Sequence, residues 1–401
     1  MSLLRPLPRI LLALPMAMFA SHALAQTAPA TGGPYKIVQK SQLMGTGGID
    51  YVYADSVNRR LYVPRGNSVL VFDLDSLTPD SPIPGLMGGH GVAVDPVAGH
   101  GFSSSAPVIM WDAKSLKTIK TVTLQGRPDG ILFEPFTERV YVFSHSAPNA
   151  TVLDGKDGSI VGTIDLGGAP EQAASDGQGH LYVDLEDKDS IAVVDVKTMK
   201  VTATYSLGGK GSGPGGLGLD AKNQILFAFC HEPATAVILS ATDGNILATL
   251  PIGNGTDGGG FNPRTMEAFS SQGDGTLTII KESSPTSFAV EQTVQTLPRA
   301  KTCTLDTKTN HIIVIATERP APSPGAVSPS GSPSPAAVSS APVTASPAPP
   351  SPAIASTSGT SSQTAGAPGG PGEAGRGGFG GRRGGGGYRG PAMLHILVVG
   401  Q

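Results

Sequence analysis

The sequence predicts an all-β fold, a seven-bladed β-propeller of four-stranded antiparallel blades with its ring closed by strands from both termini. Three observations predict it. An acidic residue or Asn recurs at Asp55, Asp95, Glu134, Asp176, Asp220, Asn262 and Asp306, at intervals of 40, 39, 42, 44, 42 and 44 residues. Short β-rich runs surround each marker, separated by turn residues and without helical periodicity. After the seventh marker the pattern stops half-way through a unit and resumes only at the end of the chain. A period of about forty residues is that of a propeller blade.

Within a unit, the first run leads into the marker, as in Val92-Ala93-Val94, Ile131-Leu132-Phe133, Leu217-Gly218-Leu219 and Cys303-Thr304-Leu305. The second follows a tight turn, as in Leu61-Tyr62-Val63, Val140-Tyr141-Val142, Leu181-Tyr182-Val183, Leu226-Phe227-Ala228 and Ile312-Ile313-Val314. The third often ends in Asp, at Asp73, Asp112, Asp154 and Asp195. The fourth alternates polar and apolar, as in Thr118-Ile119-Lys120-Thr121-Val122 and Lys200-Val201-Thr202-Ala203-Thr204. A blade cannot bury both faces alone, so it packs face to face with its neighbours around an axis. The outermost strand keeps a wet face. Ser240 and Lys281 replace the third-strand Asp in blades five and six, which depart most from the repeat.

Blade seven explains the closure. Its second strand covers 311–316, and residues 319–391 are rich first in Pro, Ala and Ser, then in Gly and Arg. That composition buries too little apolar surface to fold, so a disordered insertion is expected. Met393-Leu394-His395-Ile396-Leu397-Val398-Val399 is a strand with no local partner. It is expected as the third strand of blade seven, with residues 35–39 as the fourth. The insertion then joins strands two and three of one blade, at a closure cost that grows only logarithmically with its length.

The run Leu61-Tyr62-Val63-Pro64-Arg65-Gly66-Asn67-Ser68-Val69-Leu70-Val71-Phe72-Asp73 resembles the YVTN-repeat signature. So do Leu181-Tyr182-Val183 with Ile191-Ala192-Val193-Val194-Asp195, and Gly91-Val92-Ala93-Val94-Asp95-Pro96. The chain is similar to the YVTN-repeat, or YncE-like, propellers of bacterial envelopes, over residues 35–316 and the last ten. The resemblance implies the fold. It leaves function open, because such propellers bind partners, ligands or DNA, and some relatives are enzymes.

Residues 1–25 read as a secretory signal peptide: Arg5 and Arg9 precede an apolar run, and Ala23-Leu24-Ala25 is a small-x-small cleavage site. The expected organisation is 1–25 signal peptide, 26–318 and 392–401 propeller, and 319–391 insertion. The expected location is periplasmic or secreted, with no membrane span after cleavage and a monomeric chain. A net charge of −3 with 15% charged residues gives no global pull toward nucleic acid or membrane. Arg376, Arg382, Arg383 and Arg389 lie among glycines, a pattern that can hold single strands. In an exported chain a solvated loop is the better reading, and nucleic acid is not expected as a partner. The two cysteines, Cys230 and Cys303, fall a whole blade apart and are expected as free, buried thiols.

Chemical motifs are scarce. There is no Cys-x-x-Cys-His, Gly-x-Ser-x-Gly, His-Glu-x-x-His or P-loop, so no catalytic residue, cofactor or dedicated metal set is assigned. The marker acids are turn acceptors. One constellation stands apart from the scaffold. Five residues before the markers stand Asp50, His90, Asp129, Glu171, Gly215, Asp257 and Lys301. By symmetry they ring one channel mouth, with Arg127 and Arg299 near the rim and His145, His231 and Glu232 on strand 2–3 loops of the same face. A purely structural position would repeat similar residues, whereas these differ and are mostly ionisable, as in a ligand site. The same residues also fit a hydrated channel mouth whose polar groups simply face water. The ligand expected at a mouth with four carboxylates carries positive charge or hydroxyls. Three function classes follow. The leading one is a non-catalytic binding or scaffold protein, with an unknown small molecule or envelope protein at the mouth. The others are a metal-dependent lactonase-like hydrolase and an accessory protein of a quinoprotein dehydrogenase pathway.

Overall fold

The strand pattern of the sequence returns as seven four-stranded antiparallel sheets in a computed structural model that describes residues 32–319 and 390–401. Blade three is representative: Pro128–Glu134, Arg139–Ser144, Ala150–Asp154 and Ile160–Ile164 follow one another across the sheet. Blades five and six are as complete as the rest. The Ser240 hydroxyl accepts the Thr242 N–H where the third-strand Asp would, and Lys281 instead reaches Glu267 at 3.4 Å. Among the described residues the only helical piece is a single turn, Glu186–Lys188.

The markers act as read from the sequence. In each blade the marker side chain accepts the N–H two residues on: Val57 to Asp55, Val97 to Asp95, Phe136 to Glu134, Gln178 to Asp176, Lys222 to Asp220, Arg264 to Asn262 and Lys308 to Asp306. Four residues after the marker the backbone is left-handed in six blades. Gly99 occupies that position in blade two, but Arg59, Glu138, Gln224, Met266 and Asn310 do so with φ of 54–63°. That conformation costs a non-glycine residue about 1–2 kcal/mol, and the capping acid helps to hold it.

The core lies between the blades. Leu61, Val63 and Phe72 of blade one meet Ile313, Ile315, Leu394, Ile396 and Val398 of blade seven. Trp111 is wholly buried against Tyr62, with ring centroids 5.9 Å apart, and sits in the space Gly101 leaves by having no side chain.

Blade seven has the expected strand order. Pro391–Gly400 lies between His311–Glu318 and the outer strand Lys36–Thr46, with Thr302–Asp306 innermost. Both terminal strands are longer than the sequence suggested. The outer one alternates exposed and half-buried residues, so it carries little apolar signal. Three contacts lock the closure. The Arg65 guanidinium of blade one donates to Leu43, Gly45 and Ala392 carbonyls at 3.2, 3.0 and 2.7 Å. Arg59 donates to both Asp306 oxygens at 2.7 and 2.8 Å. The Tyr35 N–H and C=O pair with the Gln292 amide, and its hydroxyl donates to Glu267. The leader at 1–25, and residues 320–389 of the insertion expected at 319–391, lie outside the described residues; Pro391 already belongs to the last strand. Cys230 and Cys303 are free and buried, and burial pushes the Cys303 thiol up to about 11.

Two predictions follow from this packing. Deleting 391–401 removes Leu394, Leu397 and Val399, all fully buried. Each is worth roughly 1.5–3 kcal/mol. Thermal melts should show a large loss of stability, whereas trimming 322–388 should leave the melt near wild type. Glu282 and Asp220 are buried together, and burial with the Asp220 charge pushes Glu282 up to about 7. A carboxyl raised on folding loses its contribution as pH rises through that value. Glu282→Gln should therefore melt close to wild type at pH 5 and above it at pH 9.

Candidate ligand site at the channel mouth

The innermost strands bring the site together through a local irregularity. In blades three to six their ladders shift register between Pro128 and Ile131, Pro170 and Ala173, Pro214 and Gly216, and Thr256 and Gly259. Each shift falls at the position five residues before the marker, where Asp129, Glu171, Gly215 and Asp257 stand. A bulge frees that residue from the ladder and re-aims its side chain.

Four successive blades contribute a continuous chain of contacts. His90 Nδ1 lies 2.6 Å from Asp50 Oδ2 and 3.2 Å from Asp129 Oδ1. His145 Nε2 lies 3.2 Å from both Asp129 Oδ2 and Glu171 Oε2. Asp129 is thus shared by two imidazoles. The other side of the mouth holds the ion pair of Lys301 and Asp257. His231 comes up beside Gly215, where an added Cβ would lie 2.8 Å from its Nε2. Arg127 and Arg299 are exposed and do not join the chain of contacts. The Arg127 N–H donates to the Ser144 hydroxyl at 2.9 Å. Arg299 lines a separate cavity of about 320 Å³ with Glu318, Arg319 and His395. Glu232 is exposed at the end of its strand.

Sequence reasoning missed Tyr51, Gln172 and Glu186. The Tyr51 hydroxyl donates to Glu171 Oε1 at 2.7 Å, from blade one to blade four. Gln172 accepts the N–H groups of Leu217 and Gly259 at 3.2 and 3.0 Å and donates to the Gly259 carbonyl at 2.7 Å, tying blade four to blades five and six. A signal for both was present. The position four residues before the marker is Gly in four blades, Gly91, Gly130, Gly216 and Gly258. There adjacent innermost strands run close: a Cβ on Gly130 would meet the Glu171 carbonyl at 2.8 Å. Tyr51 and Gln172 are the large departures from that rule. Glu186 belongs to the turn after strand two of blade four, which no repeat predicts.

The electrostatics follow from crowding. Burial and the neighbouring carboxylates Glu171 and Asp50 push Asp129 up to about 6, against the pull of His90. The hydrogen bond to Glu171 and the charge of Asp129 carry His145 up to about 9, and the Asp50 contact raises His90. Burial raises Asp257 even beside Lys301, and burial with the Glu171 charge raises Glu186. Asp184, in strand two of blade four, is wholly buried, and among the described residues neither oxygen has a hydrogen-bond partner. Burial, with the charge of Glu171, holds it well above the ordinary carboxylate range. Two triads, Asp50, His90 and Asp129, and Asp129, His145 and Glu171, bring their donor atoms within 4.8 Å of one another. Mixed imidazole and carboxylate donors suit a divalent transition metal.

The ring of blades is shared with solved structures. The crystal structure of RRP9 WD40 repeats matches with a TM-score of 0.58 at 11% identity, over 72% of this chain and 91% of that one. The structure of U3-55K matches at 0.56 and 11%, over 72% and 92%. The chain has the propeller fold of WD40-repeat proteins. No family model matches the chain, and no curated protein sequence matches it. No described helix is long and apolar enough to cross a membrane.

The shifts at the mouth predict a pH response. A His raised on folding contributes stability that is complete below its ordinary value and lost as pH rises through the folded one. For His145 that window runs from about 6.5 to about 9. The melting temperature should fall across it, and His145→Gln should flatten the fall, which scanning calorimetry at stepped pH would measure.

Proposed function

We propose that this chain is an exported, non-catalytic binding propeller of the YVTN-repeat kind that captures a cationic ligand, in the simplest case a divalent metal ion, at the channel mouth. The observation that carries this reading is the Asp129 carboxylate, whose two oxygens each face an imidazole and complete two donor triads with Asp50 and Glu171. At least four carboxylates crowd one concave site, and a bound cation relieves their repulsion. The N-terminal leader pattern supports export, and the repeat signature at 61–73 supports the family reading. A propeller presenting loops around a wet channel is a common binding scaffold. One observation favours a second reading, a metal-assisted hydrolase. Each triad supplies three protein donors, the number that leaves a coordination position for water at catalytic zinc.

Titration calorimetry of the mature chain with Zn²⁺, Ca²⁺ and spermidine tests the proposal. One of these should bind, and Asp129→Asn with Glu171→Gln should weaken it by more than the roughly 10–100-fold that losing an outer-shell partner costs. The same double variant should also flatten the fall of melting temperature with pH, because His145 loses both of its carboxylate partners. Binding should strengthen as pH rises, since an ion must displace the His145 proton. Absence of binding by all three probes, or equal binding by the variant, would refute it. Turnover of a sugar lactone by the metal-loaded chain would move the assignment to the hydrolase.

A further inference from the structure

The turn that follows each marker holds a second ring, at the opposite end of the innermost strands from the mouth. Its members are the residues two positions after the markers: Val57, Val97, Phe136, Gln178, Lys222, Arg264 and Lys308. All seven are geometrically equivalent, because each donates its N–H to the marker side chain of its own blade. All seven are also exposed, so no packing demand selects them. Their chemistry is nevertheless sorted around the ring. Blades one to three present Val57, Val97 and Phe136, exposed by 77%, 70% and 43%. Blades five to seven present Lys222, Arg264 and Lys308, with neutral Gln178 on blade four between the two arcs. The Lys197 ammonium stands 4.7 Å from the Phe136 ring centre and adds a cation at the apolar arc. Three large exposed apolar side chains on neighbouring blades, facing three cations, are what a docking surface needs and a turn does not.

We propose that this face docks an acidic protein segment, which lays apolar side chains on blades one to three and carboxylates on blades five to seven. The charge pattern selects this occupant over an anionic membrane. The strand 3–4 turns of the same face mix Lys114, Lys156 and Lys197 with the exposed Asp73, Asp157 and Asp243. A flat anionic surface would meet those aspartates together with the cations, whereas a narrow chain whose carboxylates lie on the inner turns 221–223, 263–265 and 307–309 meets Lys222, Arg264 and Lys308 where no acidic residue stands. The surface is independent of the mouth, so failure of one assignment leaves the other standing.

The test is selection of short random peptides displayed on phage against the mature chain, with pelleting on phosphatidylglycerol vesicles in parallel. Selected peptides should place Asp or Glu beside Leu, Phe or Trp, and their binding should weaken as salt is raised. The triple variants Lys222→Glu, Arg264→Glu, Lys308→Glu and Val57→Ser, Val97→Ser, Phe136→Ser should each lower the affinity about tenfold or more, with unchanged melting temperature. Peptides without acidic residues, equal binding by both triple variants, no enrichment, or capture by the vesicles alone would each overturn the proposal.

Discussion

Everything at the channel mouth depends on one pairing, that of Lys36–Thr46 with Pro391–Gly400. A propeller has no core of its own at the centre. Its stability comes from face-to-face burial between successive blades, so an open ring would expose two blade faces and two strand edges. Pairing the first described strand with the last removes both, and the registers run from Lys36 opposite Gly400 to Thr46 opposite Pro391. The guanidinium of Arg65 then ties this seam to blade one, and Arg59 ties Asp306 to the same blade. Only with the ring closed do Asp50 of blade one and Lys301 of blade seven become neighbours in one circle with Asp129 and Glu171.

The scaffold was legible because its determinants are local and repeated. A turn that needs an acceptor at one position writes an acid or Asn there in every blade, and the interval between these acceptors counts the blades. The closure was legible for the opposite reason: residues 393–399 form an apolar strand with nothing nearby to pair with, so they must find a partner elsewhere. The outer strand was read too short because alternation of half-buried and exposed residues on an edge carries weak hydrophobic signal.

The site was legible only in part. Symmetry gave the positions of Asp50, His90, Asp129, Glu171, Asp257 and Lys301, since equivalent residues of seven blades must converge. It could not give which of them touch. That depends on the bulges at Asp129 and Glu171 and on the height of each loop, and these place His145 in the chain of contacts while leaving Arg127 and Arg299 outside it. The contacts across the channel were invisible for a further reason. Tyr51 reaches Glu171 across 120 residues of sequence, a distance set by the curvature of the whole ring and by no local pattern. Glycine at the equivalent position in four blades marks where neighbouring strands leave no room for a side chain, and the two large exceptions are the cross-braces.

The proposed cation site among the carboxylates and imidazoles around Asp129 stands against a merely hydrated rim. Anomalous diffraction from crystals of the mature chain grown with zinc tests this most directly. A peak is expected within coordination distance of Asp129, with His90 or His145 and a carboxylate of Asp50 or Glu171 completing the donor set. A mouth that holds only water in zinc-containing crystals, with the His145 to Glu171 contact unchanged, would contradict it.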